Sequence, residues 1–333
     1  MIIPGMNLAT QRRTKYRGAD HGDSGDLLQF SLMKRPRYVW RLRSRSLPLG
    51  ERTLVMGILN VTPDSFSDGG QFLQRDHAVA HALRMLDEGA DILDIGGEST
   101  RPGSKVLETG LPAAEELRRV LPVIEDVLRE RPGTIISIDT YKAEVARAAV
   151  QAGVEIVNDV SALRWDSQMP ADLAQLGCGV ILMHTRGRPE VWGTQPPSPD
   201  ILAEVKNELR QWSDAAVAAG IARERLVIDP GFGFGKRFDE NYPLLARFSE
   251  LHALGLPLLS GTSRKSFIGR TLRRDDKDAP PDQRLYGTLA TVIASVLQGA
   301  HIVRVHDVRQ AVEAVKVADA VLCFSPERSE GTL

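Results

Sequence analysis

Cysteine is almost missing: Cys178 and Cys323 are the only two among 333 residues. Two thiols build neither a disulfide scaffold nor a zinc cluster, so a reducing cytoplasm is the natural compartment to expect. Cys178 lies in an apolar run, where a reduced, buried thiol belongs. Aromatic residues are sparse at 5%, which argues against a stacking surface for single-stranded nucleic acid. A dominant charge is missing too, since 42 Lys+Arg face 43 Asp+Glu for a formal net charge of -1. With no basic field to hold a nucleic-acid backbone, the partner to expect is a small molecule. No stretch approaches the roughly 18 uninterrupted apolar residues of a membrane helix, so no membrane partner is expected. Residues 1–37 mix Arg12, Arg13, Lys15 and Arg17 with Asp20, Asp23 and Asp26. They hold no apolar core of the length a secretory signal requires and read as a solvated N-terminal extension. Translation from Met33 is the alternative reading of that segment.

What is present is ample core material, 42% hydrophobic residues. Length alone suggests about two domains, but barrels of roughly 250 residues run as one unit. From Thr53 onward short β-rich runs alternate with amphipathic segments. The predicted strands are Thr53–Leu59, Asp91–Ile95, Thr134–Ile138, Val154–Val157, Gly179–Met183, Arg225–Ile228, Leu256–Ser260 and His301–Val305. Most are near-continuous Val/Ile/Leu runs, as parallel strands covered on both faces require. Between them lie helical stripes such as Leu117, Val120, Leu121, Ile124 and Val127. Leu285, Leu289, Val292, Val296 and Leu297 form another, as do Val308, Val312, Val315, Ala318 and Leu322, and each is expected to lie on the sheet. About eight strand–helix repeats predict an α/β chain folded as a single (β/α)8 barrel over residues 38–325, followed by a short tail at 326–333. A doubly wound open sheet is the runner-up. It lacks the Gly-x-Gly-x-x-Gly turn after its first strand. The charged stretch Arg273–Arg284 reads as an exposed loop.

In such a barrel, chemistry sits where strands end and the following loops begin. Those positions carry Asn60, Glu98–Arg101, Asp139, Asn158, Asp159, His184, Asp229, Lys265, Arg304 and His306. One polar strand end is usually a turn residue or a helix cap. Stability does not ask for an acid, amide or base at nearly every exit, so their concentration predicts an active site. Several mechanisms drop out. Gly231–Lys236 resembles a phosphate loop, but Pro230 stands where the first Gly is needed and Arg237 follows the Lys. No Gly-x-Ser-x-Gly elbow occurs. His77 and His81 share helical spacing without the Glu of a zinc site.

At the same strand ends the chain resembles the dihydropteroate synthase family, whose fold is the TIM barrel. The resemblance rests on Met56–Gly70 (Met-Gly-Ile-Leu-Asn-Val-Thr-Pro-Asp-Ser-Phe-Ser-Asp-Gly-Gly) and Asp94–Gly103 (Asp-Ile-Gly-Gly-Glu-Ser-Thr-Arg-Pro-Gly). It continues through Ser137–Thr140, Val157–Asp159, Asp229–Lys236, Gly261–Ser266 and Arg304–Asp307, and spans roughly residues 38–325. The fifth loop departs from the family, which continues Met-His with Met-Gln-Gly, whereas Thr185-Arg186-Gly187 follow Met183-His184 here.

The resemblance implies condensation of 6-hydroxymethyl-7,8-dihydropterin diphosphate with 4-aminobenzoate, releasing diphosphate in folate biosynthesis, with Mg2+. It implies Asp229 as the carboxylate that accepts two pterin N–H groups, and Asn158 as reader of the remaining ring edge. Asp139 is implied near the ring nitrogen, where it also stabilises positive charge on the pterin methylene. Lys265 is implied at the pterin carbonyl, Arg304 and His306 at the diphosphate, and Asn60 at Mg2+. Further expected substrate contacts are Thr100, Arg101, Pro102, Met183, Phe234 and Ser266. The loops Thr62–Gly70, with Phe66, and Ser99–Lys105 resemble flaps that close over the second substrate. Catalysis is expected from Asp139, Lys265, Arg304 and His306. Family members often form homodimers through barrel helices, and the stripe Leu285–Leu297 is a candidate surface, with packing on the barrel as the alternative. Two other functions fit the pattern: a methyltetrahydrofolate-dependent methyltransferase and a pterin-binding paralogue without turnover.

Overall fold

A computed structural model describes residues 35–61, 71–98 and 110–323. Eight parallel strands follow one another around a barrel, each continued by a helix except where noted. They are β3 (Leu54–Asn60), β4 (Ile92–Gly96), β5 (Ile136–Asp139), β6 (Ile156–Asp159), β7 (Gly179–Met183), β8 (Leu226–Asp229), β9 (Leu259–Ser260) and β10 (Ile302–Val305). Their order in the sheet is β8-β7-β6-β5-β4-β3-β10-β9, and a parallel bridge from Ile228 to Leu258 closes β8 onto β9. This is the (β/α)8 barrel, and the open-sheet alternative falls with its closure. The outer ring comprises α1 (Gln71–Asp87), α2 (Ala113–Glu130), α3 (Ala143–Gln151), α4 (Met169–Leu176), α5 (Ile201–Ala218), α6 (Phe238–Ala246), α8 (Leu285–Leu297) and α9 (Val308–Cys323), while a short α7 (Ser266–Thr271) precedes α8. No described helix is long and apolar enough to cross a membrane.

Successive side chains on a strand face opposite ways, and that period of two sorts the whole sequence. Val55, Leu59, Leu93, Ile95, Val157, Val180, Leu182, Ile228, Val303 and Val305 pack outward with the helices in one large core. Met56, Ile92, Ile156, Ile181, Val227, Leu259 and Ile302 pack inward in a second, smaller core. The inward set is joined by Trp40, Leu42 and Leu49. These come from a hairpin missed in the sequence reading, β1 (Tyr38–Arg41) paired antiparallel with β2 (Ser46–Leu49). The fully buried Trp40 donates its indole N–H to the carbonyl of Arg225 at 2.8 Å, just ahead of β8, so the hairpin stoppers the N-terminal end. A Cβ on Gly179, the first residue of β7, would sit 2.7 Å from Leu42 and 3.1 Å from Trp40. The bare backbone there is what lets the plug seat.

Observed strands begin one to three residues later than expected, except β7, and five of the eight end one or two residues later. Asn60, Asp139, Asp159 and Asp229 are thus the final residues of their strands rather than the first of their loops. On α8 the expected stripe is rotated. Thr288, Thr291 and Ser295 are buried with Val292 and Val296, while Leu285, Leu289 and Leu297 are only partly covered. The physical reason is hydrogen bonding. Ser295 Oγ meets Ser260 Oγ at 2.8 Å, Thr291 Oγ1 donates to Thr262 Oγ1 at 3.0 Å, and Thr288 Oγ1 accepts the Arg264 N–H at 3.0 Å.

Candidate active site

Above the apolar inner layer the inward positions turn polar. Continuing each strand's alternation puts Asn60, Asp94, Asp139, Asn158, Met183, Asp229 and Arg304 on the inner side at the C-terminal end. The same parity sends Asp159 and His184 outward. Asp159 accepts the backbone N–H groups of Ser161 at 2.7 Å and Leu163 at 3.0 Å and closes its own loop. His184 is fully buried beneath α5. Glu98 is taken up by Lys142 and by the Tyr141 hydroxyl at 3.1 Å.

The hub of the inner polar layer is Asp94. Its Oδ2 accepts from Asn158 Nδ2 at 3.0 Å and from Arg304 Nε at 2.5 Å, and Arg304 Nη2 reaches Asp139 Oδ2 at 2.6 Å. Asp94 Oδ1 is buried with no hydrogen-bond partner. Burial works against the Arg304 charge, but Asp94 and Asp139 outweigh it and hold the guanidinium above its ordinary range. Burial pushes Asp139 up to about 7, with Arg304 opposing and Asp94 adding to the rise. Sequence reasoning quoted Asp94 inside a motif and gave it no role. The signal that marks it was available, namely its inward register two residues after Ile92.

Asp229 is pushed up by burial, opposed first by the Gly231 N–H that its Oδ1 accepts at 2.7 Å. Its Oδ2 lies 3.5 Å from where a Cβ on Gly261 would stand. Lys265 is drawn down to about 7 by burial and by Arg304, with Asp229 and Asp139 opposing. Its ammonium sits 3.7 Å over the Phe234 ring centroid, a cation–π contact. Ser263 Oγ accepts the His306 backbone N–H at 3.2 Å and meets His306 Nδ1 at 3.0 Å. Asn60, Asp139, Phe234, Lys265, Arg304 and His306 line one cavity of about 340 Å³, with Ser266 at its outer side. That size suits a small ligand with a few convergent polar groups. Arg284, read from sequence as part of an exposed loop, also lines it. Thr100, Arg101, Pro102 and the two expected flaps lie outside the described residues.

The glycine-rich loop after β8 folds on itself rather than around a phosphate. Lys236 Nζ donates to the Gly231 carbonyl at 2.7 Å and meets His184 Nδ1 at 2.9 Å, and His184 Nε2 meets Glu208 Oε2 at 3.0 Å. Burial draws Lys236 down to about 7 and holds His184 well below the usual histidine range. Gly231 has φ +65°, and a Cβ there would lie 1.9 Å from the His184 carbonyl, so no other residue fits the turn behind Asp229. His184, Glu204 and Glu208 bring metal-ligand atoms within 4.8 Å of one another. Arg186 pairs with Glu204 at 2.7 Å and Lys236 with His184, so the group is internally paired.

Comparison with known proteins agrees with this geometry. The profile of a family described as pterin binding enzyme matches residues 56–306. Dihydropteroate synthase of Escherichia coli (strain K12) is 47% identical over 268 residues, 80% of this chain and 91% of that protein. Dihydropteroate synthase of Xanthomonas albilineans, solved with 4-aminobenzoic acid, superposes with a TM-score of 0.77 at 46% identity, covering 88% of this chain and all of the other. The same organism's enzyme in complex with 7,8-dihydropteroate gives a TM-score of 0.74 at 44% identity, covering 87% of this chain and 100% of the other. A closed barrel with acids, amide and cations gathered at one mouth, together with this likeness over most of its length, places the chain in the pterin-binding enzyme family, among its dihydropteroate synthases.

Proposed function

We propose that the polar layer divides the dihydropteroate synthase reaction as follows. 6-Hydroxymethyl-7,8-dihydropterin diphosphate seats its ring against Asp229, whose carboxylate accepts the ring N–H and the exocyclic amino group together. Asn158, fixed by Asp94, reads the opposite ring edge, and Lys265 donates to the pterin carbonyl while Met183 covers the ring. Arg304 and His306 receive the diphosphate. As the C–O bond opens, positive charge grows on the methylene, and Asp139 is the carboxylate that stabilises it. 4-Aminobenzoate attacks with its own lone pair from the side of Phe234 and Ser266, where Thr100, Arg101 and Pro102 complete the contacts. The products are 7,8-dihydropteroate and diphosphate. The observation that carries this reading is the convergence of Asp139, Lys265 and Arg304 on one cavity, with Asn158 joined to Arg304 through a shared Asp94 oxygen and Asp229 acting on the Lys265 charge.

Asn60 is the residue that would hold Mg2+. One neutral oxygen suits an ion that takes its remaining ligands from diphosphate and water, and it does not make a protein cage for a resident metal. Such an ion supplies neutralisation of the leaving diphosphate. We further propose a homodimer that uses α8, where Tyr286 is 84% exposed and the leucines are half covered. A cytoplasmic setting fits the two free thiols.

The deciding experiment supplies pterin diphosphate, 4-aminobenzoate and Mg2+ to the purified chain, and follows diphosphate release with mass detection of dihydropteroate. Release that requires both organic substrates and falls on chelation supports the reading. Pterin binding without release would overturn it in favour of a silent paralogue.

A further inference from the structure

The 3-10 turn Pro189–Thr194 in the loop after β7 carries one side chain into the cavity, Trp192. Its ring stands edge-on to Phe234, centroids 5.3 Å apart at 86°. Phe234 in turn carries the Lys265 ammonium on its face. The indole N–H is shared between Thr185 Oγ1 at 3.2 Å and the Gly187 carbonyl at 3.1 Å, and Thr185 Oγ1 itself donates to Gly187 O at 3.0 Å. Arg186, between these two, is anchored to Glu204 at 2.7 Å and approaches Glu240 at 3.6 Å, which ties the loop to α5 and α6. Gly235 clears the space, since a Cβ there would sit 2.8 Å from Arg186 Cβ and 3.0 Å from Trp192 Cδ1. The indole is therefore gripped through its one polar atom and packed along its edge, and beside the phenyl ring of Phe234 it adds a second broad aromatic face to a cavity whose other apolar side chains are Ile58 and Pro281.

We propose that Trp192 is a specificity-determining residue for the arylamine substrate, walling the subsite for its ring together with Phe234. This rests on the reading of the cavity given above. An aromatic edge beside Phe234 favours a flat ring of one width, and no polar group of the pterin or diphosphate finds a partner on it. Thr185 acts as a positioning residue, because its hydroxyl sets the indole's orientation.

The test compares wild type with Trp192→Phe, Trp192→Ala and Thr185→Val, each checked for an unchanged thermal transition. Trp192→Ala is expected to raise KM for 4-aminobenzoate by about tenfold, the scale of a lost aromatic contact and its buried area. Its KM for the pterin diphosphate should stay close to wild type, and Trp192→Phe and Thr185→Val should fall between. The alanine variant should also turn over 4-amino-3-methylbenzoate better relative to 4-aminobenzoate than wild type does. In protein labelled with 5-fluorotryptophan, the fluorine resonance missing from Trp192→Phe should be the one of four that moves most when 4-aminobenzoate is added to protein holding pterin and diphosphate. Unchanged amine KM and amine preference in a folded, active Trp192→Ala would overturn the proposal alone. A wild type that releases no diphosphate would sink the reading of the cavity and the proposal with it.

Discussion

Asp94 gathers two donors on one oxygen and leaves the other without a partner in a buried place. Such an arrangement is costly unless the charge is matched, and Arg304 matches it. Arg304 is thereby committed before any ligand arrives, held by Asp94 on one side and Asp139 on the other. If Arg304 receives the diphosphate as proposed, the ligand competes with Asp139 for the guanidinium. Asp139 sits near 7, so lowering the pH through that value protonates it and loosens its hold on Arg304 Nη2, while Asp94 keeps Nε. Inorganic diphosphate should bind more tightly at pH 6 than at pH 8, by at most roughly tenfold per unit. Calorimetry of Asp139→Asn, measured in parallel to cancel titration of the ligand, should show a flatter dependence, and an equal slope would contradict the competition. At Asp229 the expectation is simpler. If Asp229 accepts the ring's paired donors as proposed, Asp229→Ala should abolish pterin binding in calorimetry while circular dichroism reports an intact barrel. Residue type and motif order singled out Asp229, Asn158 and Lys265 as candidates before the structure. They did not reveal Asp94 or the bridging of Arg304, because a partner 210 positions away is not visible along the chain.

At the scale of elements, alternation along the strands was the most informative signal, and it was read only halfway. Apolar runs located all eight strands, yet hydropathy alone does not say which of two adjacent polar residues faces inward. Asn158 and Asp159 illustrate this. They are neighbours, one is bound to Asp94 in the inner layer, and the other caps a loop on the outside. The hairpin β1–β2 was missed because its strands are four residues each and carry Arg41 and Pro48 between the apolar positions. On α8 the hydroxyls were invisible to a search for apolar stripes, although they fasten the loop that bears Lys265. Arg264 in that loop has φ +57°, a strained value for an arginine, and its backbone N–H is held by Thr288. Thr288→Val leaves that donor unpaired and should cost about 1–3 kcal/mol in urea unfolding. It should also raise KM for the pterin diphosphate as Lys265 shifts. A variant with unchanged stability and KM would show that the loop keeps its shape without the hydroxyl.

Across the whole molecule, the hairpin end is also where acid should act. His301 is fully buried, accepts the Leu258 N–H on Nδ1 at 3.0 Å and donates from Nε2 to the Pro36 carbonyl at 2.9 Å. Both nitrogens are used by the neutral ring, and burial holds it at about 4, with the Pro36 carbonyl opposing. A lowered base contributes stability above its unfolded value of 6.5 and loses it as the pH falls toward 4, about 3 kcal/mol over that window. His301→Asn keeps one acceptor and one donor but does not titrate. Its thermal midpoint should fall less between pH 6.5 and 4 than that of wild type, and parallel curves would refute the assignment.

The stopper formed by Trp40, Leu42 and Leu49 makes the barrel a cul-de-sac. Among the described residues, the end of the barrel that carries Asp139 and Asp229 is the one the hairpin leaves unplugged. For the proposed reaction this means that a product still held at that end has to leave before the next substrate can take its place.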